Sequence, residues 1–383
     1  MSARAVVIGA GVLGSFHALA ALRRGWEVVH LEREQDARGA SVRNFGLVWV
    51  SGRRPGPELA LALRARSLWE ELGREVPELG FRPNGSLTLV QDEAELRVLE
   101  QVVERPDAAE RRLELLDAAQ VTEVNPTVRG RVLAGLLCRA DAAVEPQRVP
   151  GAVRAVLERE PGYRWLPGRH VVELDDGWAR DHRGERHAGD VVIVCPGAAH
   201  GCAGWQPENA PLRRVRLQML ETEPFGHLLT TSIADGDSLR YYPAFDVPAR
   251  AYLARQPPLV AELGIQLLLQ QRLDGRLTVG DTHEFEEPFA VSVAEAPYRH
   301  LRERVESLLG EPMPPVRRRW AGIYSQATDE RLYYRERLGK STWVVTGAGG
   351  RGMTLAPAIA EEVIGLVLAG YEPRVATASS TGR

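Results

Sequence analysis

At 383 residues, with a hydrophobic fraction of 44% and a charged fraction of 26%, the chain has the composition of a soluble globular protein of about two domains. Its formal charge of -3 gives no electrostatic case for nucleic acid, and no run of about eighteen apolar residues points to a membrane span. The three cysteines, Cys138, Cys195 and Cys202, are odd in number and lack CxxC spacing, and no HExxH occurs. These features exclude a disulfide frame and a metal centre and point to the cytoplasm.

Ala5-Val6-Val7-Ile8 reads as a buried strand that begins too early for a cleavable leader. Gly9-Ala10-Gly11-Val12-Leu13-Gly14 follows, and Val12 to Arg24 has helical periodicity ended by Gly25. Glu27 to Leu31 is a second strand, closed by Glu32. In this setting Gly9 permits a tight turn, Gly11 lets backbone approach a pyrophosphate, and Gly14 lets helix pack on strand. The phosphates meet the positive end of the helix, and a carboxylate at position 32 accepts the hydroxyls of an adenosine ribose. The unit predicts a bound dinucleotide.

Further along, Gly56 to Leu72 reads as a helix, Asn84-Gly85 as a turn and Ser86 to Val90 as a strand. Asp92 to Glu104 and Ala108 to Leu116 read as charged helices, Pro146 to Arg159 as another helix, and His170 to Leu174 and Asp190 to Cys195 as strands. Leu212 to Leu220, Leu239 to Tyr242 and Leu277 to Val279 are strand candidates of an antiparallel sheet, and Ala294 to Leu309 is an amphipathic helix. Trp343 to Thr346 is a last strand, running through Gly347-Ala348-Gly349-Gly350-Arg351-Gly352 into a helix over Leu355 to Ala369. The polar tail from Ala376 is expected to be disordered.

Strand-glycine-helix units at both ends of the chain are expected to join one sheet. The fold class is therefore α/β: a Rossmann-type FAD-binding domain with an interleaved antiparallel-sheet substrate domain. We expect a discontinuous FAD domain from residues 1–80, 140–210 and 325–375, a substrate domain from 81–139 and 211–324, and a tail from 376–383. FAD is preferred over NAD because Glu32 is followed by an irregular, small and polar stretch, Gly39-Ala40-Ser41-Val42-Arg43-Asn44-Phe45-Gly46. A second glycine loop at the far end of the chain also suits a long, extended ligand.

On these residues, together with Val194-Cys195-Pro196-Gly197-Ala198 and Thr346-Gly347 to Thr354, the chain resembles the D-amino-acid-oxidase-like family of flavoproteins, which includes glycine and sarcosine oxidases. Ser41 to Gly46 and Val279-Gly280-Asp281-Thr282-His283-Glu284 are most similar to a bacterial branch associated with phosphonate breakdown. The resemblance implies oxidation of a C–N bond. A hydride passes from the carbon bearing a neutral amine to flavin N5, the imine hydrolyses, and oxygen reoxidises the flavin to give hydrogen peroxide. The cofactor carries the hard chemistry; the protein orients and desolvates the substrate.

The resemblance also implies that the C-terminal turn and helix N-terminus face the flavin carbonyls. Relatives that attach flavin covalently use a cysteine near the turn after Trp320-Ala321-Gly322. Here that stretch reads Ile323-Tyr324-Ser325-Gln326, so FAD is expected to be non-covalent. Other relatives use a lysine above the flavin for oxygen activation. Lys340, the only lysine, lies before the last strand, which leaves another electron acceptor open.

The expected cofactor residues are Gly9, Gly11, Val12, Leu13, Gly14, Glu32, Arg33, Ser41, Arg43, Asn44, Phe45, Gly46, Val172, Gly197, Gly349, Gly350, Gly352, Met353 and Thr354. For the substrate's acid group, arginine is the bidentate choice. Arg43, His283, Arg351 and Tyr242 are the expected catalytic residues, with Arg240, Tyr241, Ser325 and Gln326 behind them. Tyr241 and Tyr242 on a strand would put only one ring in the site, and Trp320 reads as core. The competing readings are a dehydrogenase of a hydroxy acid or amine, and a flavin-binding sensor or subunit without turnover. Oligomeric state stays open.

Overall fold

The structure is a computed structural model that describes residues 3–370 apart from 202, 204 and 206–209. Cys202 and the tail expected to be disordered lie outside the described residues.

Among these residues, strands from both ends of the chain do meet in one sheet. Its six strands run Tyr334–Leu338, Thr342–Thr346, Val191–Val194, Arg4–Ile8, Glu27–Leu31, Tyr163–Leu166. Every pairing is parallel except the Tyr334–Leu338 edge hairpin. Ala5, Val6 and Val7 are buried without alternation, as a central parallel strand covered on both faces requires. One face carries helices Val12–Leu22, Pro57–Glu75 and Gly352–Ala369, locked by Phe16 edge-on to Trp69 at 4.9 Å. The other face carries a small antiparallel sheet, Val171–Asp175, Trp178–Asp181 and Arg186–Ala188. The span expected at His170 to Leu174 thus belongs to this separate sheet.

Gly349–Ala369 is long and apolar enough to cross a membrane, although the sequence suggested no such segment. Here it is the central helix of the core: Leu355, Ala356, Ile359, Ala360 and Val363 have no exposed surface.

The second sheet has eight strands, in the order Val316–Ala327, Leu212–Pro224, Arg276–Gly280, Leu268–Gln271, Ser232–Ala234, Ser86–Val90, Ala134–Cys138, Leu113–Asp117. It is antiparallel but for one parallel pair, Ser232–Ala234 on Ser86–Thr88, where the two inserted segments of the chain meet. Helix Glu295–Leu309 lays Tyr298, Leu301, Val305 and Leu308 on one face of it.

Two expected elements change type. The helix at 108 stops at Arg111 because Arg112 turns left-handed, and the apolar run Leu113 to Leu116 pairs as a strand. Leu239 to Tyr242 is not a strand: Ser238–Tyr241 is a helical turn, halted by Pro243. Asp235, which accepts the Asp237 and Leu267 N–H groups, starts that turn.

Candidate functional site

A cavity of about 1730 Å³ runs between the two sheets, from the first glycine turn to the last. At its N-terminal end Gly9 has φ +95°, and a Cβ there would lie 2.4 Å from the Cys195 carbonyl oxygen. A Cβ on Gly14 would lie 1.8 Å from the Gly9 oxygen, so helix and turn approach to a distance only glycine allows. Glu32, buried at the end of its strand, accepts the Ala10 N–H at 2.7 Å and the Glu34 N–H at 3.1 Å. Those bonds fix the carboxylate at the cavity wall. Ser41 Oγ accepts the Val12 N–H at 2.8 Å, joining the 40–46 loop to the helix N-terminus.

The loop is itself built by Asn44. Its Nδ2 donates to the Ala40 and Ser41 carbonyls and its Oδ1 accepts the Gly46 N–H. Buried Arg272 donates to the Asn44 and Phe45 carbonyls, clamping the loop from the eight-stranded sheet. At the far end, Gly347 and Gly349 have φ of +71° and +61°, and Thr346 Oγ1 donates to the Gly197 carbonyl at 2.8 Å. Thr354 Oγ1 accepts the Trp49 N–H.

Between these ends the cavity wall turns polar. Tyr241 stacks on His283 with centroids 4.3 Å apart and stands edge-on to Tyr242 at 5.0 Å; Tyr242 lies 6.0 Å from Trp49. A Cβ on Gly350 would lie 3.8 Å from the Tyr324 hydroxyl and 3.9 Å from that of Tyr241. Both hydroxyls thus converge on the C-terminal glycine loop. Burial pushes the Tyr241 phenol up to about 12 and the Tyr242 and Tyr324 phenols higher, so all three stay neutral donors at neutral pH.

Buried Glu58 lies 3.7 Å from the buried Arg53 guanidinium and 3.6 Å from that of half-buried Arg351, leaving this trio one net positive charge. Burial lowers the Arg53 pKa and Glu58 opposes the shift. In the same cavity, burial holds the Asp281 carboxyl up at about 6, while His283, 4.0 Å away, pulls it down. Trp49 Nε1, Glu58 Oε1 and Asp281 Oδ1 have no hydrogen-bond partner within the chain. Buried polar atoms seldom stay unsatisfied.

The segment 49–53 is irregular yet firmly held. Asp141 Oδ1 accepts the Val50 and Ser51 N–H groups, while fully buried Arg111 donates to the Val50, Ser51 and Arg53 carbonyls. Arg53 and Trp49 therefore reach the cavity from a loop pinned on both edges.

Most of the expected residues line this cavity, including His283, Arg351, Arg43 and Tyr242. Five placements differ. Val172 points to solvent at 46% exposure, and its neighbour Val171 faces the cavity, the alternation of a strand. Gly46 sits behind the wall, where a Cβ would strike the Val144 carbonyl at 2.1 Å. Arg240 turns away to the Ala254 carbonyl. Tyr241 and Tyr242, on a helical turn, both face the cavity. Trp320, read as core, also lines it and donates to the Arg43 carbonyl. Sequence reasoning passed over Trp49, Arg53, Glu58, Gln266 and Asp281. The signal was thin: Arg53 follows the 40–46 loop closely, and Asp281 adjoins His283.

The glycine turns, the helix N-terminus and a wall-fixed Glu32 fit an extended dinucleotide, and the buried polar groups beyond fit a small substrate; together they define a dinucleotide-dependent oxidoreductase. The DAO family model, described as FAD dependent oxidoreductase, matches residues 4–366. The chain belongs to that family, and FAD is its cofactor. It is similar to an opine oxidase subunit of Agrobacterium tumefaciens, 27% identical over 183 residues, 44% of this chain and 48% of that protein. The chain thus spans about half the length of that relative. Among solved structures, glycine oxidase of Bacillus cereus superposes with a TM-score of 0.78 at 18% identity, covering 97% of this chain and 96% of that one. L-proline dehydrogenase of P.horikoshii gives 0.76 at 19%, covering 97% and 94%. At such identities these two likenesses establish the fold.

Proposed function

We propose that the protein oxidises the C–N bond of a small primary or secondary amine that carries an acid group. An aminophosphonate such as 2-aminoethylphosphonate, its N-methyl derivative, or an amino acid has that form. One observation carries the reading: the cavity is lined by both signs of charge, Asp281 and the Arg53–Glu58–Arg351 trio, which carries one net positive charge. An anion buried there without a cationic partner would be prohibitively costly. FAD, when bound, supplies the two-electron acceptor. The chain's residues orient the substrate: the arginines hold the acid group, the neutral tyrosine hydroxyls donate to it, and Trp49 and Tyr242 exclude water. The division into a discontinuous FAD domain and a substrate domain goes with this reading, the site lying between the two sheets.

FAD is held without a covalent bond in this proposal. Of the described cysteines, Cys138 is buried in a strand, and Cys195 lies under the first glycine turn, far in sequence from the aromatic pocket. Two buried free thiols also suit a reducing, cytoplasmic compartment. Oxygen is the proposed acceptor, with peroxide as product. A dehydrogenase is the second reading, because Lys340 sits in the hairpin turn at the sheet edge and not beside the cavity.

Anaerobic mixing tests the whole. Acidic amines should bleach the flavin absorbance, while hydroxy acids and neutral amines of equal size should do so far less. Bleaching by hydroxy acids alone would replace the amine reading, and no bleaching at all would leave a flavin-binding protein without turnover. Peroxide yield on admitting air separates oxidase from dehydrogenase. Acid precipitation should leave FAD in the supernatant.

A further inference from the structure

We propose that Asp281 is the group that receives the substrate's ammonium and takes its proton, so that the amine enters the oxidation neutral. The inference rests on the amine reading above and adds a residue and a step to it.

The argument is one of elimination and geometry. Four carboxylates among the described residues line the cavity: Glu32, Glu34, Glu58 and Asp281. Glu32 and Glu34 belong to the first glycine turn and its strand. Glu58 already faces two guanidinium groups. Asp281 is 4% exposed, and its Oδ1 has no hydrogen-bond partner. Its other oxygen faces His283 Nε2 at 4.0 Å, too far for a hydrogen bond, and the Gln266 side chain also reaches the carboxyl, so Oδ1 is the open oxygen. His283 is in turn fixed by its Nδ1 on the Gly264 carbonyl at 3.0 Å and by Tyr241 stacked upon it. A buried carboxylate with an open oxygen is what a cationic substrate group needs.

Position relative to the acid-binding end also fits. Tyr241 lies within electrostatic reach of Asp281 and of Arg53 and Arg351, so both signs of charge act at one aromatic ring, as the two ends of a zwitterion require. The groups facing Asp281 are His283 on its own segment, Tyr241 and Tyr242 from the 238–241 turn, Tyr324 from its long strand, and Gln266. The tyrosines stay neutral through the physiological range, which leaves the Asp281 carboxyl, raised to about 6 by burial, as the base among them.

In the step itself, one N–H bond of the ammonium breaks and an O–H bond forms on Asp281. The electron pair stays on nitrogen. The freed lone pair is what oxidation of the neighbouring C–H bond requires, FAD when bound supplying the two-electron acceptor, and Asp281 holds the proton meanwhile.

Two measurements test this. In Asp281→Asn, reduction of the bound flavin by an acidic amine, as the ratio of rate to dissociation constant, should fall by about 100-fold or more. The acidic break near pH 6 in the wild-type profile should vanish, with FAD content and melting temperature showing that the fold persists. Asp281→Glu should keep the break. The second measurement uses wild-type holoenzyme and an acidic amine with no hydrogen on the carbon bearing nitrogen. Calorimetry in two buffers of different ionisation heat should show about one proton released on binding at pH 5 and none at pH 8, because a protonated Asp281 must lose its proton to accept a cation. The matching hydroxy acid should release none. An unchanged pH profile in Asp281→Asn, or binding without proton release at pH 5, overturns the role of Asp281. A wild type that no amine reduces overturns the amine reading instead, and the calorimetric result then stands or falls separately.

Discussion

The two ends of the cavity solve opposite problems. At the first glycine turn, recognition is done by backbone: Gly9, Gly11 and Gly14 remove side chains, Glu32 is tied to two N–H groups, and Ser41 closes the loop. At the aromatic end it is done by side chains from segments far apart in the chain, and four buried polar atoms there, on Trp49, Glu58, Asp281 and Tyr324, lack partners. The first end is held mainly by its own hydrogen bonds, with His17 Nε2 beneath it unpartnered, whereas the second leaves most of its open polar atoms facing the cavity. Stability and function should therefore respond to mutation differently at each.

The sharpest way to break the contrast is at Gly14. A Cβ there would overlap the Gly9 oxygen at 1.8 Å, and backbone on both sides is fixed by the sheet. Gly14→Val should yield no holoprotein at all, read as the FAD to protein ratio after purification. A variant that binds FAD normally would mean the turn is looser than it looks.

Acid should separate the ends next. Burial pulls both His17, beneath the first turn, and His30, whose Nε2 faces the Gly9 carbonyl, down to about 4 from 6.5. The unfolded chain then binds more protons than the fold between those values. Stability is full above pH 6.5 and falls as pH drops, by roughly 2 kcal/mol per histidine at pH 5. Urea midpoints at pH 7 and pH 5 measure this, and replacing each histidine with glutamine should flatten the slope.

Asp281 runs the other way. Its folded pKa is raised from 3.8 to about 6 by burial, so the stability it allows is full below pH 3.8 and is lost as pH rises through 6. At pH 7 the ionised form costs roughly 3 kcal/mol. Asp281→Asn should therefore stabilise the ligand-free protein at pH 7 and change little at pH 3.8, even as it loses activity. A stability cost held at a substrate-binding residue is what the contrast predicts; equal melting temperatures at pH 7 would remove it.

At the acid-binding side the effect is one of affinity. Arg53→Met keeps the side chain's apolar stem and removes the charge. It should raise KM for an acidic amine by one to two orders of magnitude, on the basis of a charge-assisted contact of roughly 1.5–3 kcal/mol, while a neutral amine changes much less. Equal losses on both substrates would assign Arg53 to the fold.

The same contrast explains what could be read from the sequence. The first turn is local: strand, glycines, helix and acid lie within about thirty residues, and each has a physical reason for its spacing. The joining of both chain ends in one sheet was equally legible, because each end carries its own strand-glycine-helix unit. The aromatic end is non-local. Trp49 and Arg53 are presented by a loop whose shape depends on Asp141 and on buried Arg111, and Arg111 reads in sequence as one more charge on a surface helix. Tyr242 was assigned to a strand because the run Leu239 to Tyr242 is rich in β-formers, yet the Asp235 bonds and Pro243 impose a turn. Tertiary contacts overrode propensity at both places. Val172 in place of Val171 is the smallest such error, one residue of register.

Arg43 provides the mildest test and concerns a residue that the sequence ranked among the foremost. It lies in the loop that links the two ends, and its position beside Ser41 and Asn44 made it an attractive anion partner. In the structure its side chain is exposed, donates to the Ala321 carbonyl at 3.2 Å, and is not part of the Arg53–Glu58–Arg351 ion cluster. A solvated guanidinium keeps most of its hydration, and its field is screened within about 10 Å at moderate salt. Arg43→Ala should therefore raise KM for an acidic amine less than about tenfold, leave the rate at saturation unchanged, and lose its effect as salt rises. Those signs describe a charge that guides the substrate inward. A large, salt-independent loss confined to acidic amines would instead move the acid-binding site to Arg43 and leave the trio without a ligand, which is the outcome that would most directly reverse the division between the two ends.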